Sequence, residues 1–424
     1  MASWNGFSKK SPQDRMDQIQ KNEAISPQGL EALRKGDQLS LEVADQMVEN
    51  LLGTFSLPFS LAPDFLIDDK LYQLPMVTEE PSVVLAASYA AKIIKRAGGF
   101  QTRIQERLMI GQIAFYDVAQ PQTAIEKIEA KKELLLELAR EAYPSIVKRG
   151  GGPRDLWVQE KGDFLIFYLS LDSQEAMGAN MLNTILESLK TPLEELIQAP
   201  SLMGILSNYA TESLVEASCS IPISYLSRNK EEAHEIARKM DLASQLAQTD
   251  PYRAATHNKG IFNGIDALLI ATGNDWRAIE AGAHAFASRD GHYKGLSQWV
   301  YHAEEGQLKG RILLPLPVAS RGGSIGLNPG VAIARDLLQE PSARQLASCV
   351  AALGLAQNFA AVKALVSTGI QAGHMKLHAR SLALLIGAKE DEVGPLVDKL
   401  VQEKSFNQEK ALAFLEELRA NKKD

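Results

Sequence analysis

A strand pattern passes directly into a helix pattern in the first quarter of the chain, so the fold must contain both. Apolar residues alternate over residues 72–76, as expected of a strand with one buried face. After Pro81 the apolar residues recur at helical spacing, and the pattern ends at Gly98. The acidic segment Thr78-Glu79-Glu80 therefore lies at a strand-to-helix junction.

Other segments carry signals of both kinds. Ser26-Pro27 predicts a helix start and Gly36 predicts its end. Thr191-Pro192-Leu193-Glu194 has the pattern of a capping box with proline at the first helical position. Residues 124–142 have the spacing of one amphipathic helix, and residues 164–169 are apolar on both faces, as in a buried strand.

The composition argues against several classes of protein. With 424 residues, of which 45% are apolar, the chain can bury more than one core. A net charge of -7 and 6% aromatic residues argue against a nucleic-acid partner. The N-terminus has no apolar targeting region, and polar residues interrupt the apolar stretch 351–366, so no membrane association is expected. The two cysteines, Cys219 and Cys349, fit a reducing compartment, and we predict a cytoplasmic protein.

The dinucleotide fingerprint G-x-G-x-x-G is absent, because the glycines at 150–152 and 322–326 do not have that spacing. A nicotinamide enzyme would need another phosphate cradle. Residues 172–180 are a candidate, because a buried strand there meets a helix from about Glu175 and Gly178 allows close approach of a ligand. A glycine at a helix start more often serves close packing alone.

Gly322-Gly323-Ser324-Ile325-Gly326 matches the nucleophile elbow of hydrolases, and His374 and His378 downstream are possible bases. In an elbow the serine leads straight into a helix. Here the helix is predicted to begin only at Pro329. A thioester hydrolase that uses Ser324 is therefore the competing hypothesis and not the favoured one.

His374 and His378 lie one helical turn apart, as in a zinc-binding helix. The glutamate of H-E-x-x-H is absent and no cysteine lies nearby, so no metal site is predicted.

Residues 253–266 crowd cations, amides and glycines, and an apolar run joins them to a second polar cluster, residues 272–277. Lys259 and Asp275 from these clusters could meet in a pocket. The lysine could there stabilise a developing oxyanion, and the carboxylate could hold the lysine. A purely structural ion pair is the alternative reading of these two residues.

Taken together, several blocks resemble 3-hydroxy-3-methylglutaryl-coenzyme A (HMG-CoA) reductase of the soluble bacterial class II type, in the same order. The resemblance extends from Phe7 to about Ala388. The blocks are Glu49-Asn50-Leu51-Leu52-Gly53-Thr54, Thr78-Glu79-Glu80-Pro81-Ser82, Glu175-Ala176-Met177-Gly178-Ala179-Asn180, His257-Asn258-Lys259-Gly260, Gly273-Asn274-Asp275-Trp276 and Gly373-His374-Met375.

The resemblance implies reduction of the HMG-CoA thioester to mevalonate and coenzyme A with two nicotinamide hydrides. Lys259 would polarise the carbonyl, and Glu80 would exchange protons at the aldehyde stage after a shift of its pKa toward neutrality by burial. Asp275 would join both in one proton network. His374 would protonate the departing coenzyme A thiolate.

The resemblance also implies the binding residues. Arg253 would hold the substrate carboxylate bidentately. Glu175 would lie near the cofactor, at a position where the family usually has aspartate. The further substrate residues would be Ser82, Asn263 and Asn358, and the further cofactor residues would be Met177, Gly178, Asn180, Asn183 and Asn208.

The fold implied is α+β. A large, mainly helical substrate-binding domain, residues 1–107 and 221–375, would contain an inserted small ferredoxin-like, non-Rossmann cofactor domain, residues 108–220. Residues 376–424 would form a helical C-terminal flap that closes over the site. The family implies a homodimer with sites at the subunit interface.

Some alternatives remain open at this stage. The enzyme could work mainly in the mevalonate-oxidising direction, and a catalytically idle coenzyme A-binding or scaffold protein could keep the fold. Lys148-Arg149 could supply the cation that NADPH needs at its extra phosphate, whereas Glu141 could favour NADH. We favour NADPH.

Overall fold

The computed structural model describes residues 4–36, 38–323, 325–367, 379–403 and 407–420. The strands are β1 (Phe59–Ile67), β2 (Lys70–Val77), β3 (Gln101–Ile104), β4 (Met109–Phe115), β5 (Gly152–Lys161), β6 (Phe164–Asp172), β7 (Ser201–Ser207), β8 (Leu214–Pro222), β9 (Ser297–His302) and β10 (Gln307–Pro315). The helices are α1 (Pro12–Lys21), α2 (Pro27–Lys35), α3 (Leu41–Met47), α4 (Val83–Arg96), α5 (Pro121–Ala130), α6 (Lys132–Ala142), α7 (Pro144–Lys148), α8 (Ala179–Ile197), α9 (Lys230–Thr249), α10 (Pro251–Ala271), α11 (Trp276–Ala287), α12 (Pro329–Leu337), α13 (Ala343–Val366), α14 (379–385), α15 (Glu390–Gln402) and α16 (Gln408–Ala420).

A small unit is built on the four-stranded sheet β5-β6-β4-β7, in which all neighbours are antiparallel. Its chain order is strand, helices, two strands, helix, strand, which is the split βαβ arrangement of ferredoxin-like folds. The buried face of α8 covers the sheet and completes a separate apolar core. The expected ferredoxin-like unit is therefore present.

A larger unit contains the hairpin β1-β2, the sheet β3-β8-β10-β9 and the helices α4, α9, α10 and α13, which share one core. Helix α13 is long and apolar enough to cross a membrane by length and composition, but 72% of its most apolar window is buried inside this core. Strand β8 pairs with β3 and β10, so the sequence boundary at residue 220 falls inside a strand of the larger unit. The linker before β8 is the natural end of the small unit.

The described C-terminal helices α14, α15 and α16 pack around an apolar cluster of their own, centred on Leu396 and Leu400. Leu384 and Leu385 on α14 remain exposed.

Several local predictions are confirmed and others are wrong. Ser26 caps α2 and Gly36 ends it in the left-handed conformation, as expected. The capping-box prediction at residues 191–194 is wrong, because Pro192 lies inside α8 and the buried stripe continues through Leu193 to Ile197. The single helix predicted for 124–142 is divided at Lys131 into α5 and α6, and the helix expected from about Glu175 begins at Ala179.

Candidate active site

Lys259 and Glu80 form the centre of the candidate site. Lys259 Nζ lies 2.7 Å from Glu80 Oε2, and Asn263 Nδ2 donates to Glu80 Oε1 at 3.3 Å. The side chains of Lys259 and Glu80 are 60% and 44% exposed. An ion pair this exposed contributes only about 0–1 kcal/mol to stability. The pair therefore adds little to the stability of the fold. Its accessible ammonium can instead act on a ligand.

The backbone at the β2–α4 junction determines where Glu80 projects. Ser82, the residue before α4, has φ 76°, in the left-handed region that serine seldom adopts. Strain of this kind persists only where the surrounding structure imposes it, and it clusters at functional sites. The chain turns sharply here, and its turn presents Glu80 to the α10 face that carries Lys259 and Asn263, one helical turn apart.

Arg253 lies in the first turn of α10 and is half-buried. Burial lowers the pKa of Arg253 from its ordinary value. No described residue accepts a hydrogen bond from its guanidinium. Such a guanidinium can bind a carboxylate bidentately. The burial of the neighbouring His257, and to a smaller extent the charge of Arg253, lower the pKa of His257 to about 4.

Asn358, predicted to bind substrate, is 1% exposed in the core. Its Oδ1 accepts from Ser297 Oγ at 2.8 Å and from Trp299 Nε1 at 2.7 Å, and its amide lies 3.1 Å from His257 Nε2. Both the oxygen and the amide nitrogen of the side chain are thus bonded within the core. We therefore leave Asn358 out of the substrate site.

Asp275 does not meet Lys259 within one chain. It caps α11 by accepting from the Ala278 amide at 3.1 Å, and its other described partner is Arg277 at 3.4 Å. Lys259 lies twelve residues before the end of α10, roughly 18 Å along the axis at about 1.5 Å per residue. Asp275 lies beyond that end.

The residues predicted to hold the cofactor surround residues 173–178, the cofactor loop. Gly178 precedes α8 with φ 92°, and a Cβ there would lie 2.6 Å from the Ser173 Cβ. No side chain caps α8, so its first amides are free to bind an anion. Asn180 is exposed and Met177 is half-buried beside them. These features fit the phosphates of a dinucleotide.

Asn183 and Asn208, also predicted to hold the cofactor, make different contacts in the small unit. Asn183 Oδ1 accepts from the Leu206 amide at 3.0 Å and thereby ties α8 to β7. Asn208 is exposed between β7 and β8, and its carbonyl approaches Gly282 of α11 so closely that a Cβ there would lie 2.3 Å away. The small unit thus abuts the helix that begins after Asp275.

Glu175 is engaged by the protein rather than facing open space. Its carboxylate accepts from Ser320 Oγ and from the Ala343 amide, the latter at 2.7 Å. Burial alone would raise the pKa of Glu175, but these hydrogen bonds and the nearby Arg107 hold it below its ordinary value. These partners could not be predicted from the sequence, because nothing in the local sequence links residues so distant in the chain.

His374 and His378 lie outside the described residues, and so does Ser324. The residues after Ser324 form turns, and α12 begins at Pro329 with Asn328 as its cap. The predicted helix start is confirmed. A nucleophile elbow requires a direct passage from serine into helix, and the chain does not provide one here.

A carboxyl pair that the sequence analysis did not single out lies between α10 and α11. Asp266 is hydrogen-bonded to Glu280, and one of its oxygens is buried without a partner. Burial and the Glu280 carboxylate raise the pKa of Asp266 to about 8. His284 and Tyr293, hydrogen-bonded to each other at 2.8 Å, lie at the same interface. The pair shares a proton at neutral pH.

The Asp266 pair should make the folded protein less stable in base. The folded state keeps a proton that the unfolded chain releases above about pH 4, so its stabilisation is complete below that pH and is lost as pH rises through about 8. Asp266→Asn should therefore flatten the fall of Tm between about pH 4 and about pH 8. Asp290→Asn, which alters an exposed carboxylate 3.3 Å from Lys294, is the control and should keep the wild-type slope. Parallel slopes for all three proteins would contradict this assignment.

Comparison with known proteins identifies the family. The model of the hydroxymethylglutaryl-coenzyme A reductase family matches residues 11–379. The chain belongs to the HMG-CoA reductase family. It is 41% identical to the HMG-CoA reductase of Archaeoglobus fulgidus over 420 residues, 98% of this chain and 94% of that protein. It is 34% identical to a probable HMG-CoA reductase of Borreliella burgdorferi over 84% of this chain and 82% of that protein.

Solved HMG-CoA reductase structures share the fold. The enzyme from Streptococcus pneumoniae is 64% identical and superposes with a TM-score of 0.87 over 98% of this chain and 100% of that one. A structure of the class II enzyme from the same organism, bound to NADPH in open conformations, superposes with a TM-score of 0.85 over 86% of this chain and 100% of that one. The α+β fold and the class II resemblance are thus confirmed.

Proposed function

We propose that the chain is an NADPH-dependent HMG-CoA reductase that converts the thioester to mevalonate and coenzyme A. The contact of Lys259 Nζ with Glu80 Oε2 at 2.7 Å carries this proposal, because it joins residues distant in the sequence at one accessible place. Asn263 completes that group, and Arg253 on the same helix supplies a cation for the substrate carboxylate.

The residues of the chain have distinct roles in the proposed reaction. Bound NADPH supplies hydride to the carbonyl carbon. Lys259 polarises the carbonyl and balances the negative charge on its oxygen, since a preorganised cation acts most strongly where charge develops. Glu80 gives and takes the proton on that oxygen. Ser82 and Asn263 orient the acyl group, and His374 protonates the departing thiolate.

Two half-sites in one chain support a homodimer. Lys259, Glu80 and Asn263 form one half-site, and Asp275 with the cofactor loop forms the other, beyond the far end of α10. A twofold arrangement would bring the first half-site of one subunit to the second half-site of its partner. The exposed Leu52 and Phe55, 103% and 91% exposed, provide an apolar surface that a partner could cover.

A partner subunit would also bury Glu80. From the sequence we expect Glu80 to be buried, yet its side chain is 44% exposed in the single chain. We propose that the partner and the C-terminal segment from about residue 376 exclude water there. The division into a substrate unit, a cofactor unit and this segment follows the sequence analysis, with the boundary moved from residue 220 to the linker before β8. The free, buried Cys219 and Cys349 are compatible with the proposed cytoplasmic location.

The reaction can be tested by its stoichiometry. With HMG-CoA as substrate, two molecules of NADPH should be oxidised for each thiol released, because the reduction takes four electrons and each hydride carries two. Absorbance of NADPH and a thiol reagent measure both in one sample. Thiol release without oxidation of NADPH would support a hydrolase, and thioester binding without either would support an idle binding protein.

The preference for NADPH is supported by the NADPH-bound Streptococcus pneumoniae enzyme and by a basic group beside the cofactor loop. Lys148 and Arg149 are exposed just before Gly151, whose Cβ position would lie 2.5 Å from the Asp172 carbonyl. Cations at this place can bind the phosphate that distinguishes NADPH from NADH. Arg154 is already paired with Asp172 at 2.8 Å.

Removal of these cations should weaken discrimination between the cofactors. Lys148→Ala/Arg149→Ala should lower kcat/KM with NADPH about tenfold or more, the effect of roughly 1.4 kcal/mol, and leave the value with NADH within about twofold. Initial rates at saturating thioester measure both. Lys161→Ala, at the distal end of β5, is the control. An equal loss with both cofactors would contradict a contact with the extra phosphate.

A further inference from the structure

Residues 316–321, the bridging loop, follow β10 and are bonded to the segment that carries Asp275. The Ala319 amide donates to Asn274 Oδ1 at 2.7 Å, and Asn274 Nδ2 donates to the Ala319 carbonyl at 3.1 Å. Ala319 is buried, so both bonds are shielded from water. Because Asn274 directly precedes Asp275, this two-way contact fixes the backbone from which the Asp275 carboxylate projects.

The same bridging loop also holds the cofactor loop. The amides of Ser320 and Arg321 donate to the Glu175 carbonyl at 2.9 and 3.2 Å. Ser320 Oγ donates to the Glu175 carboxylate, which also accepts from the Ala343 amide at the start of α13. Both the main chain and the side chain of Glu175 are thereby anchored outside the small unit. A glutamate held in this way joins the two units rather than contacting the cofactor.

Arg107 reinforces the connection between the two loops. This residue lies between β3 and β4 and is 8% exposed. Its guanidinium donates to the carbonyls of Gln174 and Ala176 in the cofactor loop and to the carbonyl of Val318 in the bridging loop. Separation of the loops would leave the Nη1 and Nη2 donors of this buried guanidinium without acceptors, which is energetically costly.

We propose that Asn274 and Ser320 are positioning residues for the reduction, because they connect Asp275 through the bridging loop to Glu175 and the cofactor loop. The continuous chain of bonds holds the Asp275 carboxylate and the bound nicotinamide at a fixed separation, so that both reach the substrate of the partner subunit together. Asn274 and Ser320 need not contact substrate or cofactor. This inference rests on the proposed function of Asp275 and deepens it.

A double-mutant cycle tests whether Asn274 acts through Asp275. Asn274→Ala should lower kcat about a hundredfold, the effect of a small displacement of a catalytic group, while KM for the thioester changes little. Asp275→Asn should be strongly impaired, and the double variant should be no slower than Asp275→Asn alone. Losses that multiply in the double variant would overturn the proposal.

Gln248→Ala is the matched control for stability. Its side-chain amide also bonds main chain at two places, donating to the Gly295 and Ser297 carbonyls at 3.0 and 3.2 Å, and it adjoins no proposed catalytic residue. Gln248→Ala should lower Tm as much as Asn274→Ala does and leave kcat far less affected. Equal losses of kcat in the two variants would reduce Asn274 to a structural role and overturn the proposal.

Ser320→Ala weakens the connection at its other end and provides a second route if Asn274→Ala does not fold. It should lower kcat and raise KM for NADPH, because the Glu175 carboxylate loses the side-chain bond that fixes it to the bridging loop. Unchanged values of both would overturn the proposal. If Asp275→Asn keeps its kcat, the proposed role of Asp275 fails and the inference fails with it. If Asp275→Asn is impaired and Asn274→Ala is not, the inference alone fails.

Discussion

Lys259→Ala should lower kcat for HMG-CoA reduction about a thousandfold, at the upper end of the effect of removing one group that stabilises a developing oxyanion. The ammonium is the group proposed to balance the charge left on the carbonyl oxygen after hydride addition. Its pair with Glu80 is exposed, so the variant should lose no more than about 1 kcal/mol of stability and should fold normally. Steady-state rates of NADPH oxidation and a thermal melt measure the two quantities separately.

Lys35→Ala is a matched control for Lys259→Ala. Lys35 Nζ lies 2.7 Å from Glu31, the same separation as in the Lys259–Glu80 pair, and the two lysines are 62% and 60% exposed. The control removes an equivalent ion pair from α2, far along the chain from the proposed chemistry. Its kcat should remain near the wild-type value. A Lys259→Ala enzyme that retained its rate within about tenfold would show that the ammonium does not perform the proposed role.

Periodicity predicted the elements near Glu80, whereas a local capping motif gave a wrong prediction where tertiary packing opposed it. The alternation before Glu80 and the helical spacing after it correspond to β2 and α4. At residues 191–194 the capping pattern is genuine as a local signal. The buried stripe of α8 continues through it, however, and burial of Leu193 and Ile197 outweighs the penalty of a proline within the helix.

The composition of the candidate site was predicted by resemblance and not by spacing. Glu80 and Lys259 are 179 residues apart in sequence, and no local pattern relates them. Residue type also cannot tell whether an amide or carboxylate faces a ligand or another part of the protein. Asn358 and Glu175 illustrate this, because Trp299 and Ser320, which occupy their oxygens, come from distant segments of the chain.

A heterodimer of Lys259→Ala and Asp275→Asn subunits should regain about half of the wild-type activity, although each homodimeric variant is nearly inactive. The reason is the length of α10, whose end lies roughly 18 Å along the axis from Lys259, and Asp275 follows that end. If each site takes Lys259 from one subunit and Asp275 from the other, one site of the heterodimer contains both native residues. The second site contains neither. Co-expression with two different tags and purification on both yields the heterodimer for the rate measurement.

The heterodimer of Lys259→Ala and Glu80→Gln is the decisive control. These residues lie 2.7 Å apart on one chain, so they belong to the same half-site and each site of this heterodimer lacks one of them. Its activity should stay as low as that of either parent. If each site were instead built from a single chain, the Lys259→Ala and Asp275→Asn heterodimer would be equally inactive. Each chain would then carry one defect in its own site. Recovery in the first heterodimer alone therefore requires that Asp275 act across the interface, which agrees with its position beside the cofactor loop and beyond the end of α10.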